Sequence, residues 1–275
     1  MAIDEGHGVP GGARDRSLPD DWLVDIRRLC SAIRGPVREG LAAVAAGTRA
    51  REDVAAAVGQ GVGDTTFAID AVAERAVDAW LADVAARRPL SLLTEDAGWR
   101  HVGPGRNGGC AALDGFDHGG PRIVLDPIDG TRNLMHDLRS AWIVVSLARP
   151  GAGVPSFDDL ELGLIDEVPD TRGRVARELV GRRGAGARLR EADVRTGSIE
   201  RERELACDAD ERLDRGYFPY FGFHPSLRPH VQAVGAEVVR RIEAEHGIDA
   251  STVFDDQYTS NGGQLALLAL GHYRA

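Results

Sequence analysis

The chain has 275 residues, 33 of them basic and 43 acidic, giving a net charge of −10, and every basic residue is Arg. Without lysine there is no Schiff-base chemistry, so pyridoxal-phosphate enzymes and imine-forming aldolases are excluded; so are P-loop NTPases and protein kinases that depend on a phosphate-binding lysine. The acidic balance argues against nucleic acid as a partner, and with 43% hydrophobic and 28% charged residues the composition is that of an ordinary globular protein.

Residues 1–21 are rich in Gly, Pro and charge, lack the apolar core of a signal peptide, and read as a mobile lead-in. From Trp22 the pattern turns helical: Trp22, Ile26, Leu29, Cys30 and Ile33 recur at steps of three and four, until Gly35-Pro36 breaks or kinks the run and Val37, Leu41 and Val44 resume it. Residues 59–63 are Gly-rich and read as a turn. A second helix follows Asp70, placed as its N-cap, with Ala73, Val77, Trp80, Leu81 and Val84 on one face. Residues 90–94 form a short buried strand, 102–120 a loop, 122–125 a buried strand running into Asp126-Pro127, 141–148 a third strand and 162–165 a fourth. Further on, 175–180 is expected as a hairpin strand with its turn at 181–187, 227–246 as a helix stopped by Gly247, 253–254 as a strand stub and 262–270 as a short apolar helix. The organisation expected is a lead-in (1–21), an N-terminal α+β half carrying a metal site (22–150) and a C-terminal α/β half (151–275).

The most informative string is Asp126-Pro127-Ile128-Asp129-Gly130-Thr131-Arg132-Asn133. A buried strand delivers Asp126, Pro127 fixes the exit and Gly130 permits a tight turn, so the carboxylates of Asp126 and Asp129 can converge with the Ile128 carbonyl. These are hard oxygen donors suited to Mg²⁺. Gly130 and Thr131 add backbone N–H groups and a hydroxyl at an expected helix start, which is an anion site. A cation site beside an anion site is what phosphate-ester hydrolysis requires. Glu95-Asp96, at the end of the 90–94 strand, is a second acidic pair expected to share the site. Asp64, Asp70 and Glu74 form a third group whose roles the residues alone leave open, as they do those of 190–250.

At these residues the chain resembles the inositol monophosphatase superfamily of Mg²⁺-dependent, lithium-sensitive phosphatases. Its D-P-[IL]-D-G-T-x-N string is matched by Asp126 to Asn133. Its acidic strand-end pair is matched by Glu95-Asp96, and its D-x-V-T-x-x-D segment by Asp64 to Asp70, with Phe67 where Thr is usual. The resemblance implies an α/β (α+β) fold, the layered α-β-α-β-α sandwich of sugar phosphatases. It implies two or three Mg²⁺ ions held by Glu95, Asp126, the Ile128 carbonyl and Asp129. Thr131 with Asp64 would orient the attacking water, with Glu95 also catalytic, and Gly130 and Thr131 would bind the phosphate. The implied substrate is a small phosphorylated metabolite such as an inositol or sugar phosphate, and the implied assembly a homodimer.

The family's C-terminal W-D-x-A-A-G motif has two possible counterparts. Asp256 could replace its Asp, or 260–271 could match the helix that precedes the motif. The second placement is preferred; it leaves the C-terminal half incomplete and raises the alternative of a weak or inactive member that binds a phosphorylated ligand or serves as a subunit.

Other signals are weaker. Cys30, Cys110 and Cys207 lie far apart without C-x-x-C and read as free thiols of a cytoplasmic protein. No apolar run reaches the ~20 residues of a membrane span, so no membrane partner is expected. Gly103-x-Gly105-x-x-Gly108 follows no expected strand and reads as loop, the eight His residues show no paired metal spacing, and the aromatic group from Tyr217 to Phe223 reads as core or interface.

Overall fold

A computed structural model of the chain describes residues 20–60, 65–206, 212–219 and 225–274. The chain begins with helix α1 (Asp20–Ala45) and a single turn, α2 (Glu52–Ala55). Strands β1 (Ala57–Gln60) and β2 (Thr65–Phe67) form a small antiparallel ribbon ahead of helix α3 (Ala68–Ala85). Next come β3 (Leu90–Thr94), β4 (Gly98–Pro104), β5 (Cys110–Ala112), β6 (Arg122–Asp129), the short helix α4 (Thr131–Met135), β7 (Ala141–Ala148), β8 (Leu160–Val168), β9 (Val175–Arg182), β10 (Gly186–Asp193) and β11 (Ile199–Leu205). Helices α5 (Arg228–His246) and α6 (Asn261–Ala269) follow.

Nine strands form one sheet in the order β11-β10-β9-β8-β7-β6-β3-β4-β5, which continues across residue 150. Its one parallel pair is β3 with β6, where Thr94 stands opposite Leu125. The residues that follow are Glu95, just past β3, and Asp126, within β6, so this pairing sets the two acids side by side. The fold is thus mixed α+β with a large mixed sheet, as the resemblance implies.

Helices α1 and α3 cover one face. Ile26, Leu29, Ile33, Val37, Ala73, Val77 and Val84 meet Leu90, Leu92, Ile123, Ile143 and Leu164 in the main core. Fully burying each large aliphatic side chain contributes ~1.5–3 kcal/mol. Charged contacts cross the layer: Arg34 Nη1 donates to buried Asp166 at 2.6 Å and Arg27 Nη2 to Glu178 at 2.6 Å. A smaller cluster on the other face joins Trp142, Leu179, Leu189, Tyr258 and Ala266, bringing α6 onto the sheet. There Trp142 Nε1 donates to the Tyr258 hydroxyl at 2.6 Å, which donates in turn to Ser140 O at 2.6 Å.

Several local expectations change. Helix α1 runs through Pro36 without a break. Pro36 faces solvent while Ile33, Val37 and Leu41 continue the buried stripe, so packing outweighs one lost backbone hydrogen bond. The stretch expected as a loop at 102–120 contains the end of β4 and all of β5, and the formal G-x-G-x-x-G runs from the end of β4 into the turn of that hairpin. Gly59 and Gln60 belong to β1 rather than to a turn. The expected turn at 181–187 narrows to 183–185, and β11, which was not expected, forms the outer edge. In α3 the N-cap is Phe67, and Asp70 sits three residues inside. Gly247, at φ 66°, closes α5 as expected. Cys30 is buried and Cys110 exposed, both as free thiols; Cys207 lies outside the described residues, as do Tyr220, Phe221, Phe223 and the lead-in up to residue 19. Among the described residues no helix is long and apolar enough to cross a membrane.

Candidate active site

The acidic strand ends open into a cavity of about 300 Å³. Its walls include Asp70, Glu74, Glu95, Asp96, Asp126, Asp129, Ile128, Gly130 and Thr131, closed on one side by Thr259, Ser260 and Asn261 at the start of α6. The residues expected to act together are therefore brought together, Asp64 excepted, which lies outside the described residues.

The motif is built differently from a strand that ends at Asp126. Strand β6 continues to Asp129, with a register shift against β7 between Asp126 and Asp129. Pro127 has no N–H for the ladder, and the shift accommodates it. Gly130 then adopts φ 101°, a left-handed conformation that glycine supplies without a Cβ clash, and caps α4. A side chain there would also crowd Ser260, whose Cβ lies 3.1 Å from the position a Cβ would take.

Thr131 Oγ1 lies 2.7 Å from Asp70 Oδ1 and 2.9 Å from Ile128 O. The other Asp70 oxygen accepts the Phe67 N–H at 2.8 Å, which holds the carboxylate still. Among the described residues Asp70 faces Thr131; Asp64, which the resemblance places near Thr131, lies outside them. Asp70 braces the first turn of α3 from its third position, not as the N-cap. Its second role depends on a contact across 61 positions that local pattern does not reveal.

Asp126 and Asp129 are part-buried. Burial, with the Asp129 and Glu95 carboxylates nearby, pushes the Asp126 carboxyl up to about 7, although the Ile128 N–H opposes this. Burial also raises Asp129, against N–H groups of α6 and the Ser260 hydroxyl. Asp129 Oδ2 accepts from Ser260 Oγ at 3.0 Å and from Gly262 N, so this carboxylate also anchors the α6 N-terminus. Asn133 Nδ2 adds a bond to Thr259 Oγ1 at 2.8 Å, tying α4 to the same segment. Glu74 is raised by burial. Asp96 accepts from Thr66 Oγ1 at 3.2 Å.

Ser260 caps α6, accepting from Gly263 N at 2.9 Å, and the helix start lines the cavity. Asp256 is elsewhere, accepting from Arg139 Nη1 at 2.8 Å and from the Tyr273 hydroxyl at 2.5 Å, and it does not line the cavity.

The donors suit a hard divalent cation: crowded carboxylates in a part-buried pocket, one of them, Asp126, held well above its ordinary range by burial and then by its acidic neighbours. They are not gathered around a single point, however. Among the described residues no three His, Cys, Asp or Glu groups stand in an arrangement that would grip an ion. The hydrogen bonds above explain this, since Asp70 and Asp129 are turned onto protein donors.

No family profile and no curated protein sequence matches the chain. Solved structures do. Fructose-1,6-bisphosphatase of Leishmania major superposes with a TM-score of 0.58 at 12% identity, over 92% of this chain and 73% of that one. Inositol monophosphatase II of Staphylococcus aureus gives 0.53 at 15%, over 93% and 74%. The extragenic suppressor protein SuhB of Bartonella henselae gives 0.53 at 14%, over 90% and 74%. The chain shares the fold of these solved structures, and in that fold β3 and β6 deliver their acids into one cavity.

Proposed function

We propose that the chain is a phosphoric monoester hydrolase that cleaves a small phosphate ester with activated water. The observation that carries this reading is the Thr131–Asp70 pair, 2.7 Å apart in a cavity walled by carboxylates. Thr131 Oγ takes a proton from the attacking water and passes its own to Asp70. The water oxygen bonds to phosphorus, the ester bond breaks, and the departing oxygen takes a proton from solvent. The Gly130 and Thr131 amides orient the phosphate. Glu95, Asp126, the Ile128 carbonyl and Asp129 would hold Mg²⁺, which when bound supplies charge neutralisation at the phosphoryl oxygens.

The test is phosphate release from inositol phosphate, fructose 1,6-bisphosphate and p-nitrophenyl phosphate with Mg²⁺, with lithium as a probe of the inhibition expected by resemblance. Activity should vanish in EDTA and in Asp126→Asn; activity indifferent to both refutes the reading. A second reading, a weak or silent phospho-ligand binder, is favoured by one observation: Asp129 is engaged by α6 rather than turned with its neighbours onto a common point. Ligand-induced thermal stabilisation without turnover of any ester would support it.

A further inference from the structure

Outside the acidic cavity, two histidines converge on one buried hydroxyl. Ser91 on β3 and His101 on β4 are cross-strand partners. Ser91 Oγ lies 2.7 Å from His101 Nδ1 and 2.7 Å from Nε2 of His118, which comes from the loop 113–120. The second His118 nitrogen, Nδ1, accepts the Gly120 N–H at 3.1 Å. Trp99 stacks on His101 with ring centroids 6.3 Å apart, and Phe116 meets the His101 ring edge-on at 4.5 Å.

These contacts fix the protons. Because Gly120 N–H donates to Nδ1 of His118, that nitrogen is bare and the imidazole proton sits on Nε2. Nε2–H therefore donates to Ser91 Oγ, and the Ser91 hydroxyl donates to His101 Nδ1. In this arrangement the Ser91 hydroxyl and both nitrogens of a neutral His118 are paired. A proton added to His118 lands on Nδ1 and faces the Gly120 N–H, donor against donor.

We propose that the His118–Ser91–His101 relay is a pH-sensitive latch that seats the loop 113–120 against β3 and β4 when His118 is neutral and releases it on acidification. The seat is close: a Cβ on Gly120 would fall 2.0 Å from Pro89 O, so the loop's end lies directly on the entry to β3. The groups facing His118 are His101 on β4 and Asp117 in the loop itself. Arg122, paired with Ser91 across β6, turns its guanidinium to Arg149 O and Gly153 O, and Arg100 on β4 turns to Asp78 on α3. Burial, then the neighbouring His101, lower the His118 pKa from 6.5, with Asp117 opposing. The released loop therefore binds protons more readily than the seated one, and release grows as pH falls through the ordinary histidine range.

The experiment is backbone amide exchange on the whole chain between pH 7.5 and 5.0, corrected for intrinsic rates, alongside NMR titration of the histidine ring protons. The latch requires His118 to titrate below 6.5. It also requires Gly120 protection to fall at least about tenfold over that range while Leu92, in the core of β3, holds. In His118→Gln the pH dependence at Gly120 should disappear. A His118 titration at or above 6.5, pH-independent protection of Gly120 in the unaltered chain, or a dependence that survives in His118→Gln overturns the proposal. The ring titration needs no variant, so a misfolded substitution does not decide the outcome.

Discussion

Replacing Asp70 by Asn separates the chemistry of the proposed site from its architecture. One Asp70 oxygen accepts the Phe67 N–H at 2.8 Å and the other faces Thr131 Oγ1 at 2.7 Å. Asn keeps a single carbonyl oxygen. With that oxygen on Phe67 N–H, the new NH₂ faces Thr131 and donates to its hydroxyl, whose proton turns to Ile128 O, 2.9 Å away. No donor is stranded. The cost is the exchange of charge-assisted bonds for neutral ones, about 1 kcal/mol, which corresponds to roughly 2 °C in Tm for a chain of this size. The chemical effect is much larger, because Thr131 no longer has a base to receive its proton. Loss of a positioned general base lowers kcat by about 10²–10⁴. The assay is phosphate release from p-nitrophenyl phosphate with saturating Mg²⁺, beside a thermal melt of both proteins. A variant retaining kcat within about threefold of the parent refutes the base assignment. One that loses more than ~3 kcal/mol of stability refutes the hydrogen-bond exchange.

Two predictions concern stability. Burial, offset in part by Arg34, pushes the Asp166 carboxyl from 3.8 up to about 6, so the native state binds this proton more readily than the unfolded chain. The contribution is present below about pH 4 and is lost as pH rises through about 6, amounting to roughly 3 kcal/mol; urea midpoints of the parent and Asp166→Asn at pH 4.5 and 7.5 should shift in favour of the variant at the higher pH, and the opposite trend sinks the argument. Tyr258→Phe removes the acceptor of Trp142 Nε1 and the donor to Ser140 O in a buried cluster; a loss of ~1–3 kcal/mol is expected in denaturant titrations followed by tryptophan fluorescence, and an unchanged midpoint contradicts the assigned hydrogen bonds.

What the sequence determined by itself is what neighbouring residues decide. The apolar runs at β3, β6 and β7 place those strands, since a strand buried on both faces must be continuously apolar. The string from Asp126 to Asn133 carries its own turn chemistry, because Pro127 and Gly130 restrict the backbone locally. Gly247 ends α5 and Ser260 begins α6 for reasons contained within a few residues. Pro36 marks the limit of local rules: the core under α1 outweighs it.

Only the tertiary structure decided which acids and hydroxyls meet. Thr131 lies 61 positions from Asp70, and Asp129 lies 131 positions from Ser260. Hydrophobic periodicity places each of these residues on an element but does not say which elements become neighbours. The β3–β6 register decides that Glu95 stands beside Asp126, the seat of α3 decides that Asp70 faces Thr131, and the docking of α6 decides that Asp129 anchors a helix. His101 and His118 show the same limit. Their spacing in sequence matches no metal or catalytic pattern, and the relay exists because the 113–120 loop folds back over a cross-strand pair and directs its histidine at the Ser91 hydroxyl.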